Sequence, residues 1–182
     1  GAEGDVKLAA QATEREVKAL SASGALTDYR ILHFASHGAL AGEVQGSAEA
    51  GLVLTPPARS TEGDDGYLSA SEIAQLRLDA DWIILSACNT AAAGSNRTEP
   101  LSGLAQAFFY AGARALLVSH WAVDSLATVR LVTSTVSALI NKPGIGRAQA
   151  HQIALREMIA GGGPLAHPAY WAPFVVVGEG GR

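Results

Sequence analysis

One cysteine and one histidine in this chain are placed like the two members of a thiol catalytic pair. Cys88, the only cysteine, follows an apolar run at residues 83–85 and two small residues. His37 and Gly38 follow a second apolar segment, residues 29–35. A thiol is weakly ionised at neutral pH and becomes a useful nucleophile when an imidazole beside it accepts its proton. The pair therefore indicates attack on a carbonyl, with the backbone N–H groups of Gly38 and Cys88 as oxyanion donors.

The alternative interpretation of Cys88 is a packing residue. Free cysteine is among the most buried residue types and usually behaves as a small hydrophobe. Its place after an apolar run fits both interpretations, so the choice depends on which other residues the fold brings to the same place.

The apolar segments predict an α/β fold. Strands are expected at residues 29–35, 51–55, 83–88, 114–119 and 174–177, and helices at residues 14–20, 70–76, 101–111, 125–140 and 147–160. Because strands and helices alternate, we expect a mainly parallel sheet with helices on both faces, in one domain spanning residues 1–182. The carboxyl ends of parallel strands share one edge, where open α/β folds bind ligands. His37, Cys88 and the segment 119–124 are therefore expected to line one crevice.

Local signals support these boundaries. Thr13 with Glu16, and Ser69 with Glu72, have the spacing of capping boxes at helix starts. Gly24 and Gly112 follow helices, where glycine supplies a left-handed turn. Asp124 precedes the helix at 125–140 and is a natural N-cap.

Composition excludes several classes of protein. The 182 residues are 48% hydrophobic and 16% charged, with a net charge of −4 and no basic cluster. The negative net charge and the lack of a basic cluster argue against a nucleic-acid-binding protein. No run reaches membrane-spanning length, and a single cysteine suits a reducing compartment, so we expect a cytoplasmic protein without membrane contact. A calcium site at Glu62, Asp64 and Asp65 is disfavoured, because their spacing matches no calcium loop.

Several segments resemble the CHAT domain of the caspase-like cysteine peptidases. The resemblance begins with residues 31–38 (ILHFASHG) and 85–90 (LSACNT), and continues with 103–114 (GLAQAFFYAGAR), 119–124 (SHWAVD) and 167–174 (HPAYWAPF). Fifty-one positions separate His37 from Cys88, close to the roughly fifty found in caspases. The likeness covers nearly the whole chain, and its motifs keep the family's order.

The resemblance implies a cysteine endopeptidase that cleaves proteins through a His37–Cys88 dyad, without a required third member. It maps the backbone oxyanion donors to Gly38 and Cys88, and it implies no cofactor or metal. The segment Ser119, His120, Trp121 and Asp124 would line the specificity pocket and align substrate. An aspartate there favours a basic P1 residue, although the N-cap role alone also explains Asp124. His120 is unusual at its position, and Trp121 is a candidate to flank the substrate chain.

The resemblance also implies a caspase-like three-layer αβα sandwich. Members of this family normally begin with at least one more strand, so we expect the N-terminal part of the sheet to be incomplete. We therefore expect the chain to be the C-terminal part of a longer protein. The expected partners are a protein or peptide substrate and a regulatory domain or partner protein, the latter as helical repeats upstream in the parent chain.

Two other functions stay open. One is a non-proteolytic interaction or scaffold module with an idle dyad. The other is an amidase or transpeptidase that uses the same dyad. A processing site at Arg97, in the loop 91–99, fits the peptidase interpretation if P1 is basic.

The remaining histidines and tryptophans are given structural roles. His33 is expected to be a hydrogen-bonded core histidine, and His151 and His167 do not form a metal cluster. Trp82 and Trp171 are expected to be packing aromatics.

Overall fold

A four-stranded sheet organises the chain in the computed structural model, which describes residues 3–44, 47–61, 63–86 and 103–181. The described strands are β1 (Ile31–Phe34), β2 (His37–Ala39), β3 (Gly51–Val53), β4 (Tyr67–Ser69), β5 (Trp82–Leu85), β6 (Ala115–Ser119) and β7 (Phe174–Gly178). The α-helices are α1 (Glu14–Ala22), α2 (Ala70–Ile73), α3 (Gly103–Tyr110), α4 (Ser125–Asn141), α5 (Arg147–Ala160) and α6 (Pro168–Trp171).

The main sheet has the strand order β1-β5-β6-β7. The first three strands are parallel, and β7 runs antiparallel to β6. The predicted mainly parallel sheet is confirmed, and the three strands expected to share a carboxyl edge are neighbours in it.

The remaining strands form a second sheet, which the sequence did not predict. β2, β3 and β4 pair antiparallel in that order. The expectation that one strand runs to residue 35 and ends at His37 was wrong. β1 ends at Phe34, the chain bends at Ser36, and His37 begins the small sheet. Ser36, His37 and Gly38 follow the apolar residues of β1 at once, as they would in a loop, so the local pattern does not reveal that a strand of another sheet begins there.

The central strands are buried on both faces, and this explains their continuous apolar sequence. All four residues of β5 are at most 1% exposed. Ile83 and Leu85 pack in one hydrophobic cluster, whereas Trp82 and Ile84 pack in the other. Full burial of such a side chain contributes about 1.5–3 kcal/mol each, so these strands supply much of the core.

The two clusters define the outer layers of the sandwich. The first joins the sheet to α1, α2, α3 and the small sheet, and the second joins it to α4, α5 and α6. The αβα arrangement is therefore confirmed.

Most of the local signals form as predicted. Ser69 and Glu72 make both bonds of a capping box. Thr13 accepts a hydrogen bond from the Glu16 N–H, while the Glu16 carboxylate pairs with Lys7 at 3.0 Å instead of closing the box. Gly112 has a φ of 107°, and a Cβ there would lie 2.3 Å from the Leu78 carbonyl oxygen. Only glycine fits that turn into β6.

Charged residues stand at the amino ends of the three parallel strands. Arg30 precedes β1, Asp81 precedes β5 and Arg114 precedes β6. Asp81 pairs with both arginines, and Arg114 also pairs with Asp79 at 2.7 Å. These ion pairs link the three parallel strands at the amino edge of the sheet. The predicted site residues follow the opposite, carboxyl ends of the same strands.

No helix in the described part of the chain has both the length and the apolarity to span a bilayer.

Candidate active site

The carboxyl ends of β1 and β5 lie side by side. Their register pairs Phe34 with Leu85, and the Ser86 N–H donates to the Phe34 carbonyl at 3.2 Å, which extends the pairing by one step. Neighbouring strands are about 4.8 Å apart, so the chains that leave β1 and β5 emerge next to each other.

His37 leaves this edge as the first residue of β2. Its register partner is Val53 of β3, and the next pair joins Gly38 to the fully buried Leu52. The His37 side chain is exposed, while Ala39 is buried. The small sheet therefore holds the backbone of His37 and leaves its side chain open to solvent.

Cys88 lies outside the described residues, as do Arg97 and the loop 91–99. The strands that precede His37 and Cys88 in the sequence have a fixed register, in which the two residues of every β1–β5 pair are fifty-one positions apart. The same separation holds between His37 and Cys88.

A cross-strand contact stands between the two strand ends. The Nε2 atom of His33 contacts the Ser86 Oγ atom, which joins β1 to the residue that follows β5. Part of the ring reaches solvent, so the expectation of a core histidine was wrong, although the hydrogen bond was predicted correctly. The surrounding protein removes water from the ring and lowers the pKa of His33, which favours the neutral imidazole.

Sequence reasoning gave no role to two serines that follow the ends of β1 and β5. Ser86 stands two residues before Cys88, and Ser36 immediately precedes His37. Within the described residues, the Ser36 Oγ atom is buried without a hydrogen-bond partner. The available signal was a small polar residue just after each apolar run, but Ser86 was placed inside the expected strand at residues 83–88 and Ser36 received no role.

The predicted pocket segment leaves the same edge from β6. Ser119 is fully buried at the end of the strand, and the His120 N–H donates to the Pro173 carbonyl at 3.0 Å. The side chains of His120 and Trp121 are exposed, Trp121 by 43%. β5 lies between β1 and β6, so this segment begins about 10 Å from the end of β1, across the intervening strand.

Asp124 caps helix α4. Its Oδ1 atom accepts a hydrogen bond from the Ala127 N–H at 2.9 Å, and its backbone is extended, as an N-cap requires. The carboxylate is nevertheless exposed, so the cap does not remove it from solvent or from a ligand. The N-cap prediction is confirmed, and the pocket prediction stays a prediction.

A buried ionic network holds the small sheet against the first helical layer. Glu14 of α1 is 1% exposed, and its Oε2 atom accepts the N–H groups of Asp65 and Gly66 at 2.8 and 2.9 Å. Lys18 bonds to Glu14, to Glu72 at 2.7 Å and to the Gly63 carbonyl at 2.9 Å. α1, α2 and the turn before β4 are thereby joined, and this fixes the sheet that begins with His37.

The pKa values of two network residues reflect these contacts. Burial would lower the pKa of Lys18, but hydrogen bonds to Glu14 and Glu72 outweigh it and raise that pKa above 10.5. Burial would raise the pKa of Glu72, but hydrogen bonds from Lys18 and Ser69 lower it below 4.5. Both shifts favour the charged forms of Lys18 and Glu72 at neutral pH.

The other histidines take structural positions. The buried His151 on α5 has its Nε2 atom 3.3 Å from the Phe174 carbonyl oxygen, and burial lowers its pKa despite that bond. His167 accepts the Ala169 N–H at 3.2 Å and caps α6. Among the described residues, no group of three or more His, Cys, Asp or Glu side chains is arranged to hold a metal ion.

Two tryptophans also pack as expected. Trp82 is fully buried in the second cluster, and the Trp171 Nε1–H donates to the Ala166 carbonyl at 3.0 Å. A cleft of about 340 Å³ between α2 and α3 is lined by Glu49, Ser71, Gly103, Gln106, Tyr110 and small apolar residues, and includes none of the predicted site residues.

Comparison with known protein families gives one match. A family model, the CHAT domain, matches residues 1–179. A search of curated proteins finds no similar sequence. The family match covers both predicted dyad residues and the segment after β6.

Proposed function

The chain belongs to the CHAT domain family, a caspase-like family, and on that premise we propose that it is a cysteine endopeptidase acting through His37 and Cys88. The observation that carries the proposal is the β1–β5 register. In the sequence, each residue comes three positions after a member of the last described pair, Phe34 with Leu85, whose two strands are adjacent and parallel.

In the proposed reaction, His37 accepts the Cys88 thiol proton and the thiolate attacks the carbonyl carbon of the scissile peptide. The carbonyl oxygen becomes an oxyanion, held by the backbone N–H groups of Gly38 and Cys88. The His37 imidazolium then gives its proton to the leaving amine, and a thioester to Cys88 remains. Water, deprotonated by His37, hydrolyses that thioester and restores the thiol.

The exposed His37 imidazole supports this role, because a general base must reach both the nucleophile and the leaving group. The contact between His33 and Ser86 supports it indirectly. It couples the ends of β1 and β5 just before the chain reaches each dyad residue.

We further propose that residues 119–124 align the substrate and that Asp124 favours arginine or lysine at P1. The exposed carboxylate and the exposed Trp121 ring, which follow a strand parallel to β1 and β5, support this assignment. The protein substrate, the upstream regulatory domain and the cytoplasmic location are likewise proposals.

Cleavage of a protein substrate mixture tests the peptidase assignment. Cys88→Ala and His37→Gln are each expected to lower the rate by at least about 10³-fold, because each removes one member of a cooperating pair. His167→Gln is the matched histidine control and is expected to retain cleavage. Undiminished cleavage by Cys88→Ala would overturn the assignment. A folded wild-type chain that cleaves nothing, and whose Cys88 resists electrophilic peptide probes, would favour the scaffold function.

Product analysis with an added amine separates hydrolysis from the alternative acyl-transfer chemistry. A peptidase yields the free acid, whereas a transpeptidase yields the amide of the added amine at the expense of the acid.

A further inference from the structure

His33 and Ser86 lie on the same face of the main sheet, at its carboxyl edge. Side chains alternate along a strand, and Ile31 of β1 and Ile84 of β5 both pack in the second hydrophobic cluster. His33 and Ser86 each come two residues after one of these isoleucines and therefore lie on the same face. His33 pairs in register with Ile84, so the imidazole reaches diagonally toward the carboxyl edge to contact the serine hydroxyl.

The two faces of the sheet hold the strand ends in different ways. On the opposite face, the Phe34 and Phe108 rings pack with their centroids 5.4 Å apart, and Leu85 is fully buried. On the His33 face, the isoleucines are the last apolar residues of β1 and β5, and the half-buried Ser86 follows. A side-chain hydrogen bond therefore joins the two chains where the apolar contacts of these strands end.

Ser86 is held to β1 through its backbone and its side chain. Its N–H donates to the Phe34 carbonyl at 3.2 Å, at the long end of the range for such bonds. Its hydroxyl contacts the Nε2 atom of His33. Burial lowers the pKa of His33 and so favours the neutral ring, in which one nitrogen donates and the other accepts. Either tautomer can therefore bond to the hydroxyl, which both donates and accepts.

Covalent geometry links this contact to the proposed nucleophile. Two residues of chain span at most about 7 Å, so an anchor at residue 86 limits where residue 88 can stand. We propose that His33 is a positioning residue, which holds Ser86 and thereby sets the distance from the Cys88 sulfur to the His37 imidazole. This inference rests on the proposed peptidase function, and it gives His33 no contact with the substrate.

The distance matters because the attraction between a thiolate and an imidazolium lowers the thiol pKa. That attraction falls as the inverse of the separation. At an effective dielectric constant of about 20, a separation of about 6 Å in place of about 4 Å removes a third of it, which raises the thiol pKa by about one unit. Loss of the bond between His33 and Ser86 is therefore expected to raise the pKa of the Cys88 thiol by about this amount.

The pH dependence of Cys88 alkylation by iodoacetamide tests the positioning role without any substrate. His33→Leu and Ser86→Ala are each expected to move the midpoint of the profile up by about one pH unit. The double variant is expected to move it no further than one single variant does, because both changes remove the same bond. His33→Gln is expected to restore most of the wild-type profile, since an amide can donate or accept in place of the ring nitrogen.

Arg30→Met is the matched control. Arg30 contacts Asp81 and so also links the chain at β1 to the chain at β5, but at the amino edge of the sheet. Its loss is expected to leave the alkylation profile unchanged. Circular dichroism checks that each variant is folded, and Ser86→Ala, the smaller change, tests the same bond if His33→Leu does not fold.

The outcomes separate this inference from the proposed function. If His37→Gln raises the profile but His33→Leu and Ser86→Ala leave it unchanged, the positioning role is overturned and the dyad stands. An equal shift in Arg30→Met would also overturn the role, because it would reflect a general loosening of the two strands. Failure of His33→Gln to restore the profile would show that the hydrogen bond does not position the thiol. A wild-type profile at the ordinary thiol pKa would contradict both proposals.

Discussion

Asp124 has one demonstrated task and one proposed task, and a single substitution separates them. Its carboxylate caps α4 through the Ala127 N–H, and its exposure leaves it available to a basic substrate side chain. Asparagine caps helices as well as aspartate does but carries no charge. Asp124→Asn therefore keeps the fold and removes only the proposed attraction.

A panel of fluorogenic peptides measures the effect on specificity. Asp124→Asn is expected to lower kcat/KM for arginine or lysine at P1 by about 10- to 100-fold, the value of one charge-assisted contact. Peptides with apolar P1 residues serve as the control and are expected to change little. If the preference for arginine or lysine at P1 survives the substitution, Asp124 does not form part of the specificity pocket.

At the scale of elements, the small sheet depends on the Glu14–Lys18–Glu72 network. Lys18→Met leaves the buried Glu14 carboxylate with its two backbone donors and no cation. We expect the free energy of unfolding at pH 7 to fall by about 1–3 kcal/mol, since the network is only partly exposed. Lys7→Met is the matched control, because the Lys7–Glu16 pair is 37% exposed on both sides, and less than about 0.5 kcal/mol is expected there.

The pH dependence of this variant provides a second readout. The pKa of Glu72 is held down chiefly by Lys18, so its contribution to stability exists above pH 4.5 and is lost as the pH falls below the folded pKa. Urea unfolding of Lys18→Met between pH 3 and 7 is expected to show a smaller acid-side loss than the wild type. An equal acid-side loss would show that Lys18 does not set the Glu72 pKa.

The sequence predicts best those features that depend on residues close together in the chain. The capping box at Ser69 and Glu72, and the cap at Asp124, depend on neighbours within four residues, and both form. The start of a second sheet at His37 depends on pairing with Val53, which no local pattern reveals. For the same reason the sequence did not show the link between His33 and Ser86, fifty-three positions apart, or the burial of Glu14.

At the scale of the molecule, we expect two histidines to make the fold less stable in mild acid. Burial lowers the pKa of both His33 and His151 in the folded chain. Unfolded histidines bind protons below about pH 6.5, so stability is complete above that value and is lost as the pH falls through the folded pKa values.

Urea unfolding between pH 8 and 5 measures this loss. His151→Gln keeps a donor for the Phe174 carbonyl and cannot take a proton, so the slope of stability against pH is expected to flatten. His120→Gln, which removes an exposed histidine, is the control. If His151→Gln leaves the slope of stability against pH unchanged, groups other than His151 cause the acid sensitivity.

The ion pairs of the main sheet lie at its amino edge, whereas the residues proposed for catalysis follow strands at its carboxyl edge. The amino edge is tied by Asp81 and its two arginines, while the carboxyl edge presents His37 and the segment after β6. The sequence predicted that shared edge because three apolar runs end in polar residues. It could not predict how the chain continues from each end, since that depends on packing between distant segments.

The central claim is that His37 activates the Cys88 thiol, and the pH dependence of Cys88 alkylation tests it most directly. Because the chain has one cysteine, the rate of reaction with iodoacetamide reports that thiol alone. We predict that the wild-type thiol reacts at pH values well below the ordinary thiol pKa of about 8.5, and that His37→Gln moves the profile up to that value. Coincident profiles for the wild type and His37→Gln would contradict the dyad.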